Sequence, residues 1–583
     1  MASEKTKRRA AAVNEEPTRV AVPSIASRLA PLLERYSLLL AIVLIAIASA
    51  RVVSTYRVFS HTADEPAHIA CGVEWLDRGT YGMEAQHPPL ARVFAAAGPY
   101  LLGRRLHGPA ADPSVPTGTE EDFGARFRLM ALAGMDLLYQ NQAYDATLAA
   151  ARAGILPFFW LACAVVYLWA KRDFGSPVAL IALLLFSTLP PVLAHAGLAT
   201  TDMALTATLG AAFLAGRIWL ERPNPRTAAI FGLCGALAVA SKFSSLVFFP
   251  AATVVALLWY LANTHLPASR VGPAVRRRLP SLGIAVVVLA AVVWAVYRFS
   301  FGKVFFGNFR LPAPEFYLGL LEVTQHNARG HLTYLLGQLS ADGFWYYYPV
   351  VLLVKTPLGL LVLMGAGGAL AILRRRQSFA AGLPLAFTAG ILLAASLGRI
   401  NIGIRHILPV YLGLSILAAQ ALWWALDDSS GRKWLAPAAG ALAAWAILAS
   451  GASHPDYLPY FNELAASHPE NVLVDSDLDW GQDVKRLKKR LAEVGAKSIA
   501  FTPLAYLDPR NEPDLPPLTP NDPRLPTVGW NAVSLTQWKE ERFGLGGQQP
   551  QLTLWPDTVA PQEVVGKSIF LWYFPPAGNA PAR

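Results

Sequence analysis

From about residue 36 to residue 450 the chain alternates long apolar runs with short polar connections. Apolar stretches near 36–53, 154–170, 176–194, 203–220, 227–241, 244–263, 280–297, 346–372, 379–397, 406–425 and 433–450 read as helices spanning a hydrocarbon layer about 30 Å thick. The pattern therefore predicts an all-α membrane bundle of about eleven transmembrane helices. Two long polar connections interrupt it, 54–153 and 298–345, and a polar tail follows residue 450. In that tail the spacing predicts an amphipathic helix over Asp483–Val494 and a strand over Ser498–Thr502, enough for a small C-terminal α/β domain. Pro509–Pro526 reads as loop. The expected organisation is a disordered cytoplasmic tail at 1–35, a membrane domain at 36–450 and an extracytoplasmic domain at 451–583.

Composition agrees with a membrane chain: of 583 residues, 54% are hydrophobic and 15% charged, against about 25% charged in ordinary soluble domains. The formal net charge of +11 is dispersed in short clusters rather than gathered into one patch, so no nucleic-acid partner is expected. Lys5–Arg9, Lys171–Arg172, Arg217–Arg226, Arg270–Arg278, Arg374–Arg376 and Arg432–Lys433 fall on alternate connections. A Lys/Arg excess marks the cytoplasmic side, so the amino terminus is expected in the cytoplasm and the long loops outside, with a bacterial inner (plasma) membrane as the location. Ala48-Ser49-Ala50 resembles a signal cleavage site, but the polar stretch before the first run is too long for a signal peptide. Cys71, Cys163 and Cys234 are far apart and imply neither a disulfide framework nor a zinc site.

The ionisable residues that change the picture lie at the outward ends of the spans. After the first run comes His61-Thr-Ala-Asp64-Glu65-Pro66-Ala-His68, where Thr62 and Glu65 have capping-box spacing and Pro66 suits a first helical turn. A helix from about 64 to 78 is expected, and capping alone is a sufficient reason for the acidic pair. Glu84-Ala-Gln86-His87-Pro88-Pro89-Leu90-Ala-Arg92 opens a second helix, readable as a site or as a helix lying in the membrane interface. Asp202, Lys242, Lys355 and Arg405-His406 sit at other span ends, where charge is costly and usually faces a cavity, although a single lysine can snorkel. Cations beside carboxylates suit an anionic lipid headgroup undergoing group transfer: the cations hold the phosphate and a carboxylate takes a proton.

Asp64-Glu65 with His68 and the following His87-Pro88-Pro89-Leu90 resemble the first-loop signature of the protein O-mannosyltransferases. Asp202, Ser241-Lys242-Phe243, Tyr347-Tyr348-Pro349 with Lys355-Thr-Pro357, and Gly403-Ile-Arg405-His406-Ile-Leu-Pro409 resemble later blocks of bacterial relatives. The likeness is to the GT-C membrane glycosyltransferases, of the O-mannosyltransferase and aminoarabinose transferase type that uses a polyprenyl-phosphate-linked sugar. It implies an inverting hexosyl or pentosyl transfer to a hydroxyl on a protein, lipid or glycan acceptor. Asp64 would be the general base and Glu65 would position the acceptor or the base. Arg92, Lys242, Arg405 and Lys355 would hold the donor phosphate, and His68, His87, Asp202, His331, Tyr347 and His406 would contact substrate. No β-trefoil pattern of the eukaryotic mannosyltransferases is present in the tail, which puts a protein acceptor in doubt. The acidic run Asp475–Asp483 has some calcium-loop spacing but lacks the loop glycine and terminal glutamate. No cofactor is firmly implied and a divalent metal is left open. His326, Arg329 and His331 with Phe344–Tyr348 line a pocket or form an interfacial aromatic belt. A transporter of the same topology, or a non-catalytic scaffold, remains the alternative; a transporter would place its charges nearer the midplane, often within an inverted repeat.

Overall fold

The computed structural model describes residues 24–108, 120–264, 268–375, 378–427, 432, 434–505, 514–522, 524–546 and 553–576. The Lys5–Arg9 cluster and most of the expected disordered tail lie outside these residues. The end of that tail differs from expectation: Ile25–Arg35 is a helix, α1, capped by the Ser24 hydroxyl. It turns by 84° into the first apolar helix, α2 (Ser37–Val53).

The first long connection folds into helices α3 (Glu65–Asp77), α4 (Pro89–Leu101), α5 (Glu120–Tyr139) and α6 (Tyr144–Ala153). Prolines open α3 and α4, where a missing N–H costs nothing because the first-turn donors have no intrahelical acceptor. The two helices cross closely at Gly72, where a Cβ would lie 2.1 Å from the Arg92 carbonyl oxygen. The bundle continues through α7 (Leu156–Ser187), α8 (Pro190–Ala196), α9 (Asp202–Glu221), α10 (Pro225–Ser241), α11 (Ser245–Asn263) and α12 (Ala268–Val296). The second long connection holds a hairpin of β1 (Phe301–Lys303) and β2 (Arg310–Pro312), helix α13 (Pro314–Arg329), and a hairpin of β3 (Thr333–Leu335) and β4 (Gln338–Ser340). Then come α14 (Tyr347–Lys355), α15 (Leu358–Leu373), α16 (Leu383–Ser396), α17 (Val410–Leu426) and α18 (Leu435–Ala452).

Among the described residues six helices are long and apolar enough to cross a membrane, and the bent pair α1–α2 makes a seventh. α10, α15 and α17 are apolar but shorter. The run through α6 and α7 contains two of the stretches expected from the sequence, because Gly175 breaks α7 with φ 85° and ψ 173°. Ion pairs confirm that the chain reverses there. Arg152, just before α7, meets Glu65 at one end of the bundle, whereas Asp173 pairs with Arg217 and Arg172 with Glu221 at the other. Ala199 then returns to Glu65. The same far end gathers Arg278 on the Leu220 carbonyl and Arg374 and Arg432 on the Trp424 ring. The basic connections thus collect at one end and the long loops at the opposite one.

After α18 the chain does not leave the bundle at once. Asn462 donates to the Leu353 and Thr356 carbonyls, and the Asp477 carboxylate accepts from the Ile404 amide at 3.0 Å. Beyond this docked segment lies the expected α/β unit. Helix α19 (Val484–Glu493) lays Val484, Leu487 and Leu491 on strands β5 (Ile499–Ala500), β6 (Leu518–Thr519), β7 (Gly529–Ser534), β8 (Glu563–Val565) and β9 (Ile569–Phe574). The sheet order is β6-β5-β7-β9-β8, parallel around β5 and antiparallel around β9. Helices α20 (Leu535–Gly546) and α21 (Trp555–Thr558) complete it. Part of the proline-rich loop lies outside the described residues, and β6 occupies a short piece of the remainder.

Candidate active site

The acidic pair at the start of α3 splits into two different environments. Glu65 is fully buried. Both its oxygens are bridged by Arg152 at 2.8 Å, Oε1 also accepts from the Ala199 amide at 2.9 Å, and Oε2 from the Thr62 amide at 2.8 Å. Burial opposes its charge, but Arg152 and these donors hold its pKa below the ordinary value. With every oxygen engaged, Glu65 fixes the turn before α3. It has no free lone pair for an acceptor, and of the two roles the resemblance implied its contacts favour positioning the base, through the turn that carries Asp64. Asp64, one residue earlier, is the N-cap position of α3 without a side-chain cap bond, and its side chain is 24% exposed.

Arg405 faces Asp64, its Nη1 donating to Oδ2 at 2.8 Å. It sits in the single turn before α17 and is aimed by two further contacts: Nε donates to the Ile402 carbonyl at 3.1 Å, and the guanidinium lies 4.2 Å from the centre of the Trp480 ring. Trp480 also clamps the other partner, since its carbonyl accepts from the amide of Ala63 at 3.0 Å. At the same end of the bundle Lys242, on the extended residue after α10, donates to Asp202 at 2.6 Å. Asp202 opens α9 and lies within the electrostatic reach of Arg405. These four residues, distant in sequence, gather as two neighbouring ion pairs at one end of the bundle.

The two other residues expected to hold the phosphate are engaged by the protein itself. Arg92 is buried with its Nε on His68 Nδ1 at 2.9 Å, its Nη1 on the Tyr81 hydroxyl at 3.1 Å, and an ion pair to Glu84. His87 flanks that pair, and its ring meets His68 edge-on at 5.3 Å. The cluster ties α3 to α4. The Lys355 ammonium is likewise buried and donates to the carbonyls of Leu458 and Asp477 at 2.8 and 2.6 Å, anchoring the docked tail. A lysine at a span end looks the same in sequence whether it meets a ligand or a carbonyl.

Of the remaining candidates, His331 is half-buried, and burial pulls its pKa down despite the nearby Asp475. His406 stacks on Tyr348 at 5.8 Å and Tyr347 is buried beside it. His326 contacts Gln86 at 2.7 Å. Three residues were missed. Arg152 and Trp480 carry no local signal, because their partners are 87 and 75 positions or more away. His195, in α8, is fully buried with neither ring nitrogen hydrogen-bonded among the described residues, and its ring lies 6.5 Å from Trp480. Its place a few residues before Asp202 was the available clue.

The tail's acidic run is engaged by the protein itself. Asp479 accepts from Ser534 and Thr536, and Asp483 from Lys567 and Ser568. Burial raises Asp479 to about 6. Among the described residues no group of three His, Cys, Asp or Glu side chains is placed to hold a metal ion.

The fold and these ion pairs define an α-helical membrane protein with an acid–cation site at one end of its bundle. Residues 146–297 match the family model described as dolichyl-phosphate-mannose-protein mannosyltransferase. This segment contains Arg152, His195, Asp202 and Lys242, while Asp64 and Arg405 lie outside it. No curated protein matches the sequence. Among solved structures the chain is similar to ArnT from Cupriavidus metallidurans in the apo state, at 16% identity and a TM-score of 0.43, over 65% of this chain and 59% of that one. It is similar to the same protein bound to undecaprenyl phosphate at 12% identity and a TM-score of 0.47, over 91% and 97%. The archaeal oligosaccharyltransferase AglB from Archaeoglobus fulgidus, in complex with an inhibitory peptide and a dolichol-phosphate, is similar at 14% identity and a TM-score of 0.43, over 77% and 57%.

Proposed function

We propose that the protein is an inverting glycosyltransferase that moves a sugar from a polyprenyl-phosphate donor to a hydroxyl of a protein, lipid or glycan acceptor. The observation that carries this reading is the partly exposed Asp64 carboxylate facing Arg405, with Lys242 at the same end of the bundle. On donor arrival the Arg405 guanidinium, which has five N–H donors, is shared between Asp64 and the phosphate, and Lys242 adds a second cation. Asp64 accepts the proton of the acceptor hydroxyl. That oxygen forms a bond to the anomeric carbon as the carbon–oxygen bond to phosphate breaks on the opposite face, and the electron pair leaves on the phosphate oxygen. Fixed cations assist because they need little reorganisation as that charge develops. Glu65, Arg92 and Lys355 support the site without touching substrate. The Lys/Arg excess at the far end supports placing that end in the cytoplasm of a bacterial inner membrane, with transfer on the outer side, where the segment around Asp477 and Trp480 packs on the site.

The test supplies purified protein with a set of radiolabelled polyprenyl-phosphate sugars and a membrane and periplasmic extract as acceptor, in parallel with Asp64→Asn. Transfer by the wild type alone identifies the donor and supports Asp64 as base. Equal transfer by the variant removes Asp64 from that role, and no transfer with any donor removes the proposed activity in favour of a transporter or scaffold.

A further inference from the structure

The β1–β2 hairpin leaves the end of α12 with five aromatic rings in the open. Phe299, Phe301, Phe305, Phe306 and Phe309 are 46–61% exposed within eleven consecutive residues, an apolar patch that a water-facing loop does not carry without a partner. Its position is fixed by the membrane span beneath it. The Trp294 indole, in the last turn of α12, donates to the Ser300 carbonyl at 2.8 Å and packs edge-on against Phe299 at 5.3 Å. The hairpin is thereby held against the end of a helix long and apolar enough to cross a membrane.

Charge points to the same surface. Residues 298–313 contain Arg298, Lys303 and Arg310 and no Asp or Glu. Lys303 and Arg310 stand directly opposite each other in the ladder, an arrangement that is unfavourable for like charges unless an anion lies between them. Both are exposed. The nearest acid in sequence, Glu315, accepts from the Ser300 hydroxyl at 2.7 Å. We infer that the β1–β2 hairpin is a membrane-dipping element: its phenylalanines seat in the bilayer leaflet on the site's side, and Lys303 and Arg310 hold the phosphates of anionic lipids there. Aromatic contacts continue inward from Phe306 to Tyr317, Phe316 and Phe243, the neighbour of Lys242. Seating the hairpin therefore also fixes one wall of the approach from the lipid to the site.

The experiment attaches a fluorophore at Phe306→Cys in full-length protein carrying Cys234→Ser, reconstituted in nanodiscs of phosphatidylethanolamine and phosphatidylglycerol. The reference label is at Leu525→Cys, exposed in the loop before β7. Lipid carrying a nitroxide near the headgroup should quench the Phe306 label several-fold more than the Leu525 label, whereas aqueous iodide should do the reverse. Omitting phosphatidylglycerol, or combining Lys303→Gln with Arg310→Gln, should reduce the lipid quenching at least twofold. Iodide quenching equal at the two sites overturns the inference. So does lipid quenching that arises only when undecaprenyl phosphate is added, which would make the patch a docking face for the donor tail. Loss of the iodide accessibility only in cross-linkable dimers would make it a contact between copies. None of these readings needs turnover, and Asp64→Asn should leave them unchanged, so the inference and the proposed activity fail separately.

Discussion

Two sets of buried charges at the same end of the bundle contrast sharply. In the first loop, Glu65–Arg152 and Glu84–Arg92 are closed: each carboxylate oxygen and most guanidinium donors already have protein partners. In the second set, Asp64–Arg405 and Asp202–Lys242 are less saturated, with the Asp64 carboxylate reaching solvent and the buried Lys242 ammonium donating to a single carboxylate oxygen. The residue types are the same. What separates scaffold from candidate chemistry is saturation, because a charge whose hydrogen bonds are complete cannot engage a substrate without breaking them.

The contrast is most severely challenged at the open acid. Asp64→Asn should lower transfer by about 10³-fold or more, near the upper range for losing a general base, with unchanged thermal stability in detergent. Glu65→Ala should do the opposite, lowering stability by about 3–5 kcal/mol through the buried Arg152 it strands; a melt of the purified variant measures it, and an unaltered melting temperature would show that the pair is not a scaffold. Lys242→Ala should slow transfer about 10²-fold, chiefly through weaker donor binding, measured as lipid-phosphate affinity. Trp480→Ala should lower kcat/KM about tenfold by releasing Arg405, and Trp480→Phe should restore most of it, since a phenyl ring still offers a face to the guanidinium.

The smallest effect tests the same principle in the α/β unit. Burial, followed by the charges of Asp475 and Asp479, raises the Glu540 carboxyl from an ordinary 4.5 to about 8. A raised carboxyl pKa means the folded state binds the proton more tightly. The associated stability is present in full below about pH 4.5 and is lost as pH rises through 8. Glu540→Gln should therefore raise the melting temperature by a few degrees at pH 8.5 and leave it nearly unchanged at pH 4.5, read as a difference between two pH-resolved melts.

What could be read from the sequence followed from constraints that act locally. Apolar runs become helices because a bilayer offers no water to unpaired backbone groups, and helices occupy the expected stretches, although 176–194 and 346–372 are each divided between two helices. Pro66 and Pro89 open α3 and α4 at first-turn positions, and the spacing of Val484, Leu487 and Leu491 placed α19. The helix α1 was missed because an eleven-residue segment with a proline at its centre is too short to stand out from the tail before it.

The candidate site was only half legible. Asp64, Asp202, Lys242 and Arg405 stand out as charges at span ends, and so do Glu65, Arg92 and Lys355, which the fold closes off. Nothing local distinguishes the two groups. Arg405 meets Asp64 across 341 positions, and Lys355 meets Asp477 across 122. Sequence by itself determined where charge would be expensive, since that depends on the apolar residues around it. Only the tertiary structure decided which charges were satisfied, because partners are chosen by how distant helices pack, and that packing brings Trp480 of the tail against Arg405 of the bundle.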